Sequence, residues 1–196
     1  MPQHALQVAV EAVPEPAQRF REVTFRGARW DLSHLDSFTF KTALEPGLDI
    51  TVLVLFSCHC FSHSFRWDER PRSRIPADEI YDDGREQRVL NPVRYELSRS
   101  LLKKVVTSLP SRRIVIADER QPNFVTLENV NADGSTSMYA IFFEVQRDKS
   151  RKRRMILRIQ SAYVLDDGLT KRQTKAQKIG FATLMRATYL GKKLRG

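Results

Sequence analysis

Cysteine is scarce in this 196-residue sequence, and long hydrophobic runs are missing. The only two cysteines, Cys58 and Cys60, stand one residue apart, so they cannot build a disulfide scaffold, and a reduced, cytoplasmic setting is expected. The longest apolar run, residues 50–56, is far too short to span a membrane, so no membrane partner is expected. The first twenty residues also lack the basic and apolar regions of a secretory signal.

Several familiar catalytic motifs are also missing. The sequence contains no Walker loop, dinucleotide fingerprint, HExxH, GxSxG or paired CxxC motif. ATPase, Rossmann oxidoreductase, α/β-hydrolase and zinc-finger functions are therefore disfavoured, and no cofactor or metal ion is expected.

Positive charge is abundant and unevenly placed. The net charge is +10, and residues 147–196 hold fifteen Lys or Arg against three acidic residues. Such an asymmetry indicates a surface for a polyanion, most often nucleic acid, whereas the alternative is a solvated basic loop. The side chains expected to contact phosphates are Arg147, Lys149, Arg151, Lys152, Arg153, Arg154, Arg158, Lys171, Arg172, Lys175 and Lys178.

One amphipathic helix is predicted over residues 94–109. It follows Asn91-Pro92 and ends before Pro110. Its apolar side chains recur at helical spacing, at Leu97, Leu101, Leu102, Val105, Val106 and Leu109.

Strands dominate the rest of the prediction. Alternating or β-branched patterns favour strands at 20–26, 38–42, 48–60, 113–117, 124–130, 138–146 and 154–165. Residues 179–189 could form a final strand or a short helix, and their β-branched and aromatic content favours the strand. The stretch 48–60 is apolar on both faces through Phe56, so we expect it in the middle of the sheet. The sequence thus predicts an α+β fold in which an antiparallel sheet of four to five strands packs against the helix.

The predicted domain organisation is simple. Residues 1–18 are rich in Ala, Val, Pro and Gln and are interpreted as a flexible N-terminal arm. Residues 19–196 are interpreted as a single α+β domain. Within it, residues 66–92 contain several Pro and Gly and many charges, which predicts a long, mobile loop.

The segment 57–63 concentrates reactive side chains, since it holds both cysteines and two of the four histidines. Cys58, Cys60 and His63 could supply three ligands of a zinc site. A cysteine nucleophile with a histidine base is a second reading. In a third interpretation, His59 is a general acid or base and the two cysteines are ordinary core residues. A purely structural histidine at a strand end is the fourth.

A metal-free ribonuclease needs one group to polarise the ribose 2′-hydroxyl, others to offset charge on the phosphate, and one to protonate the leaving oxygen. The candidates for these roles are His59, His34, Tyr163 and Arg94, with Arg158 and Lys175 as further cations.

Five motifs carry a resemblance to known proteins: DLSHL (31–35), FSCHCF (56–61), RYELS (94–98), FFEV (142–145) and QSAYV (160–164). Together they resemble a family of small bacterial and mobile-element proteins that brings no established activity. By architecture alone, a helix before an antiparallel sheet resembles the barnase, colicin and RelE-like metal-independent ribonucleases. This chain departs from RelE-like toxins in length, since some ninety residues precede its predicted helix.

These observations predict a metal-independent endoribonuclease of toxin type that acts on RNA in the cytoplasm. An antitoxin or inhibitor protein is the partner expected of such an enzyme. The rival hypothesis is a non-catalytic nucleic-acid-binding accessory protein of a phage, plasmid or defence system. A metal-dependent nuclease is the third option.

Overall fold

A computed structural model describes residues 10–11, 19–116, 124–130, 136–165 and 174–192 of the chain. These residues form an α+β fold, as predicted, with one large sheet, two small sheets and helical segments that include residues 92–111 and Phe181–Tyr189.

The large sheet contains eight strands. In spatial order they are β1 (Val10–Glu11), β4 (Phe38–Glu45), β5 (Leu48–Phe56), β12 (Arg154–Leu165), β11 (Thr136–Arg147), β10 (Phe124–Val130), β9 (Arg113–Val115) and β13 (Lys178–Gly180). The small sheets consist of β2 (Val23–Phe25) with β3 (Ala28–Trp30), and of β6 (Ser62–His63), β8 (Gln87–Leu90) and β7 (Ile80–Asp82).

The large sheet differs from the four or five antiparallel strands that the sequence predicted. It has eight strands, and β5 pairs with β12 in parallel, from Thr51 beside Arg154 to Phe56 beside Ile159. The predicted hairpins β10–β11 and β11–β12 are present. Local turn signals reveal hairpins, but they carry no information on pairing between strands that are a hundred residues apart.

Strand β5 lies inside the sheet, as its apolar pattern predicted. Ile50, Val52, Val54 and Phe56 are almost fully buried on one face, where Phe38 and Phe40 of β4 join the same core. The strand ends at Phe56 rather than at Cys60, because residues 58–60 form a 3₁₀ turn.

A continuous helical segment covers residues 92–111 and confirms the predicted helix. It consists of α1 (Pro92–Leu97), a π turn (Ser98–Leu102), α2 (Lys103–Ser108) and a 3₁₀ turn (Leu109–Ser111). Asn91 caps its start by accepting a hydrogen bond from Arg94 N. The segment buries the apolar stripe at Leu102, Val105, Val106 and Leu109. Among the described residues, no helix is long and apolar enough to cross a membrane.

The prediction of a strand over residues 179–189 was wrong beyond its first residues. Lys178–Gly180 is strand β13, but Phe181–Tyr189 is a helix, α3. Phe181, Leu184 and Met185 are buried at helical spacing, and the Phe181 ring packs 6.1 Å from the Phe143 ring of β11. Tertiary burial of this stripe outweighs the β-branched and aromatic content that favoured a strand.

The segment 66–92, predicted as a mobile loop, contains β7, β8 and three 3₁₀ turns. Its charges pair with one another: Arg70 donates to Asp68 at 2.9 Å and to the buried Glu79 at 2.7 Å. Glu79 also accepts a hydrogen bond from Arg26 at 2.7 Å. Within the predicted arm, Val10–Glu11 pairs with β4, and its other residues lie outside the described ranges.

The basic loop between β11 and β12 is shaped by one buried carboxylate. Asp148 Oδ1 accepts hydrogen bonds from the backbone and hydroxyl of Ser150, and its Oδ2 accepts one from Arg154 Nε. Burial raises the pKa of Asp148, but these hydrogen bonds outweigh it and bring the pKa to about 2. Asp148 is therefore ionised and organises the loop, whose residues 149–153 are exposed.

We predict that Asp148→Asn lowers the free energy of unfolding at pH 7 by about 1–3 kcal/mol, because Ser150 and Arg154 lose a buried, charged acceptor. The pKa of Asp148 in the folded protein lies below the ordinary 3.8. The stability that ionised Asp148 contributes is therefore fully present above pH 4 and is lost as the pH falls towards 2. Urea denaturation of both proteins at pH 7 and pH 3 measures it. The control is Asp49→Asn, an exposed carboxylate on β5. An equal cost of Asp148→Asn at both pH values would contradict the account.

Candidate active site

An open pocket of about 380 Å³ lies where β5 ends beside β11 and β12. It is lined by Ser57, His59, Phe142, Arg158, Gln160, Ser161 and Tyr163. The pairing of β11 with β12 shifts register here, because Phe142 faces Ser161 whereas Phe143 faces Ile159, which leaves Gln160 without a partner residue across the ladder. Such bulges redirect side chains, and they are frequent next to active sites.

His59 lies on the 3₁₀ turn that follows β5. The turn is capped by Ser57, whose Oγ accepts a hydrogen bond from His59 N at 3.2 Å and donates one to the Gln160 carbonyl at 2.5 Å. The imidazole is therefore held next to the bulge, and its side chain remains 36% exposed.

His59 is paired with Glu86 of the turn between β7 and β8, with 2.6 Å between His59 Nε2 and Glu86 Oε1. Burial raises the pKa of Glu86, but hydrogen bonds from His59 and Arg88 outweigh it, so the pKa lies below its ordinary value. Glu86 is thus a carboxylate that accepts a hydrogen bond from the Nε2–H group, and Nδ1 is the ring nitrogen left for proton exchange with a ligand. The buried Arg88 holds the other Glu86 oxygen at 3.0 Å.

Arg94 supports the site from behind. Its Nη1 donates to the carbonyl oxygens of His59 at 3.1 Å and Ser62 at 2.9 Å. Its guanidinium carbon lies 4.6 Å from the centre of the Tyr163 ring, which in turn stacks on Phe142 at 5.4 Å. Burial lowers the pKa of Arg94, but a guanidinium remains charged at neutral pH. Arg94 therefore positions His59 and Tyr163 rather than lining the pocket.

His34 is not among the residues that line the pocket. Its Nε2 lies 2.7 Å from Ser98 Oγ on the π turn, and its ring packs edge-on against Tyr95. Burial lowers the pKa of His34, which favours a neutral ring. The structure thus brings His59, Tyr163 and Arg94 together and places His34 at a different contact.

A second, larger cleft of about 830 Å³ adjoins the pocket and shares Ser57, His59 and Arg158 with it. Its other lining residues are Arg19, Phe20, Arg21, Phe56, Cys58, Tyr81 and residues 82–86. His59 and Arg158 therefore stand between two recesses, a position that suits groups acting on the middle of an extended ligand.

The zinc site suggested by Cys58, Cys60 and His63 is not assembled. His63 has its Nδ1 at 2.8 Å from Asn91 Nδ2 and its Nε2 at 3.3 Å from Asp68 Oδ2, so both ring nitrogens are engaged elsewhere. Cys60 is fully buried. Among the described residues, the metal-ligating atoms that do come together belong to Cys58, His59 and Glu86, all within 4.8 Å of one another.

The residues predicted to bind nucleic acid do not form one patch. Residues 149–153 lie at the far end of β12, ~17 Å from Arg158 at the usual rise per residue. Lys175 and Lys178 are exposed beside the outer strand β13. Arg147 lies over the Tyr189 ring, at 5.0 Å. Lys171 and Arg172 lie outside the described residues.

Sequence reasoning missed three residues that complete the site. Glu86 lay inside a predicted loop, and nothing local connects it to His59, 27 positions earlier. Ser57 belongs to the FSCHCF motif and Phe142 to the FFEV motif, but no pattern in the sequence distinguishes them as pocket residues. The only signal near Glu86 is Asp83-Gly84, which indicates a tight turn.

Comparison with known proteins places the chain in a family. The sequence model of the YjaZ family matches residues 22–189, so the chain belongs to the YjaZ family. It is 25% identical over 159 residues to "Protein YjaZ" of Escherichia coli (strain K12), an alignment that covers 79% of this chain and 81% of that protein. No solved structure matches the chain. The match agrees with the resemblance to a family without an established activity, and it carries no likeness to ribonucleases.

We predict that both cysteines of the native protein resist iodoacetamide at pH 8. Alkylation needs the thiolate, and burial raises the pKa of Cys58 and of Cys60 to about 12. Intact-protein mass spectrometry should show labelling at least ~10-fold slower than in the urea-unfolded chain. Rapid labelling of native Cys58 would show that its thiol is accessible and ionised.

Proposed function

We propose that this protein is an endoribonuclease that cleaves RNA by acid–base chemistry, without a metal ion in the reaction. The observation that supports it best is the His59–Glu86 pair, held at 2.6 Å beside a pocket that also contains an arginine, a tyrosine and a stacked phenylalanine. These are the group types that phosphodiester transfer to a 2′-hydroxyl requires.

In the proposed reaction His59 acts as the base. Its Nδ1 takes the proton of the 2′-hydroxyl, whose oxygen attacks the adjacent phosphorus, and the bond from phosphorus to the 5′-oxygen breaks. The Tyr163 hydroxyl gives its proton to that 5′-oxygen and is reprotonated from His59 through solvent. The products are a 2′,3′-cyclic phosphate and a 5′-hydroxyl end, and the enzyme returns to its starting state.

The other residues orient the reacting groups and stabilise the charges that form during the reaction. Glu86 holds the imidazole by accepting from Nε2, and its negative charge stabilises the imidazolium that forms. Arg158 is the cation best placed for the phosphate, because it lines both recesses and its present partner Glu144, at 3.2 Å, is half-exposed and easily exchanged. Phe142 and Tyr163 offer an aromatic surface on which a base can stack.

The exposed basic loop extends the proposed RNA surface. Arg154 and Arg158 lie on the same face of β12, which leads from the pocket to the exposed basic residues 149–153. Contacts there would hold flanking phosphates and carry affinity without sequence preference. The proposal includes cytoplasmic action as a toxin-type enzyme, with a protein antitoxin or inhibitor that restrains it.

We predict that His59→Gln lowers the rate of RNA cleavage by about 10²–10⁴-fold, since glutamine keeps hydrogen-bonding capacity but cannot exchange a proton at neutral pH. Cleavage of a labelled single-stranded RNA in the presence of EDTA measures the rate, and RNA affinity should change little. His34→Gln is the matched control, because His34 does not line the pocket, and it should cleave like the wild type.

Full cleavage by the His59 variant would remove His59 from the mechanism. Loss of the fold, seen by circular dichroism, would make the histidine structural. A wild-type protein that binds RNA but does not cut it would favour the rival function, a nucleic-acid-binding accessory protein.

We also predict that replacing Lys149, Arg151, Lys152 and Arg153 by Gln flattens the salt dependence of RNA binding. Each lost phosphate contact should lower the log–log slope by about 0.7 for single strands. Arg154 is left in place because it supports Asp148. Lys175→Gln/Lys178→Gln, at the outer strand, is the comparison. An unchanged slope in the loop variant would mean that the loop is a solvated surface that does not contact RNA. If the slope changed by the same amount per removed charge in both variants, the cause would be net charge and not a contact.

A further inference from the structure

We propose that a zinc-class divalent cation binds at the edge of the pocket, on Cys58 Sγ, His59 Nε2 and the carboxylates of Asp83 and Glu86, and that it switches off the base His59. The binding site stands on its own geometry, whereas the inhibition rests on the proposed ribonuclease function.

Three of the four side chains already bring their ligand atoms together, and the fourth lies beside the cysteine. The ligand atoms of Cys58, His59 and Glu86 lie within 4.8 Å of one another, and Asp83 Oδ2 is 3.6 Å from Cys58 Sγ. Zinc bonds of about 2.0–2.3 Å in a tetrahedron place ligand atoms ~3.3–3.8 Å apart. For Cys58, His59 and Glu86 these distances require side-chain shifts of roughly an ångström. Asp83, whose Oδ2 lies beside the Cys58 sulfur, is the fourth ligand in the proposal.

Two turns hold these ligands in place independently of a metal. Cys58 and His59 belong to the 3₁₀ turn after β5. Asp83 Oδ1 accepts hydrogen bonds from Arg85 N and Glu86 N at 2.9 Å each, in a turn where Gly84 has a φ of +81°. Asp83 is thus anchored by one oxygen while the other faces the Cys58 sulfur. The same turn carries Glu86 to the imidazole.

The charges around the site fit a bound cation. A divalent ion with one thiolate, one imidazole and two carboxylates has a net charge of −1. The guanidinium of Arg88, 3.0 Å from Glu86, offsets this charge, and Arg158 lines the same cleft. Arg88 binds Glu86 Oε2, which leaves Oε1 for the metal and provides the outer-shell support that metal ligands usually have. A thiolate and an imidazole together select zinc-class ions over magnesium or calcium.

Metal binding has a defined consequence for His59. The ion displaces the thiol proton of Cys58 to solvent and takes the place of the proton on His59 Nε2. The neutral ring then carries its proton on Nδ1, so this nitrogen can no longer accept the 2′-hydroxyl proton. Bound zinc and proton abstraction by His59 therefore exclude each other.

Titration of the full-length, EDTA-treated protein with Co²⁺ tests the site without reference to activity. We expect one equivalent to give a thiolate-to-cobalt charge-transfer band in the near ultraviolet and the intense visible bands of tetrahedral cobalt, and Zn²⁺ to abolish both. Cys58→Ser should lose the charge-transfer band. The matched control, Cys60→Ser, should keep it, because Cys60 is fully buried and is not in the cluster.

Asp83→Asn is the second variant. The asparagine oxygen can still accept the hydrogen bonds from Arg85 N and Glu86 N, but the charged metal ligand is lost. The Asp83→Asn protein should therefore bind Co²⁺ at least ~10-fold more weakly than the wild type. A wild-type protein without a charge-transfer band, or a band that survives in Cys58→Ser, would overturn the site.

The inhibition is tested separately by RNA cleavage. Zinc should block the wild type and EDTA should restore it, whereas Cys58→Ser, compared with its own rate in EDTA, should need at least ~10-fold more zinc for half-inhibition. Equal zinc sensitivity in both proteins would overturn the switch. If the wild type never cleaves RNA, the inhibitory role fails together with the proposed function, while the cobalt titration still decides the metal site.

Discussion

The parallel pairing of β5 with β12 is the contact on which the candidate site depends. Where β5 ends, Ser57 N donates to the Ile159 carbonyl at 3.0 Å, and Ser57 Oγ donates to the next carbonyl, that of Gln160. Gln160 is also the residue at which β12 shifts register against β11. One junction therefore fixes the turn that carries His59 and the bulge that presents Tyr163, although a hundred residues separate them in the chain.

Three arginines near this junction have different structural roles, because they contact different groups. Arg94 is committed to two backbone carbonyls and to the Tyr163 ring. Arg88 is buried and holds Glu86 towards His59. Arg158 is half-exposed on a strand face and borders both recesses. The first two maintain the geometry of the imidazole, so the third is left to meet an anionic ligand. This difference underlies both the proposed cleavage chemistry and the charge balance of the proposed zinc site.

Local patterns in the sequence were sufficient for the central helix and for the β10–β11 and β11–β12 hairpins, since each depends on spacing and turn residues within a short window. They failed for α3, where burial of Phe181 and Met185 overrides strand propensity, and for the β5–β12 pairing, which no local signal encodes. At the site, chemistry alone identified His59, Tyr163 and Arg94 as candidates. It could not show that His34 lies away from the pocket or that Glu86 pairs with His59, because both depend on distances that only the folded chain sets.

The central claim is that His59 abstracts the proton of a ribose 2′-hydroxyl beside the phosphate that is cut. A DNA oligonucleotide with a single ribonucleotide, incubated with the wild-type protein in EDTA, tests it most directly. The account predicts one cut, immediately 3′ to that ribose, which leaves a 2′,3′-cyclic phosphate on one fragment and a 5′-hydroxyl on the other, detectable by mass spectrometry. Cutting of the all-DNA control, products with a 5′-phosphate, or an intact chimeric oligonucleotide would contradict it.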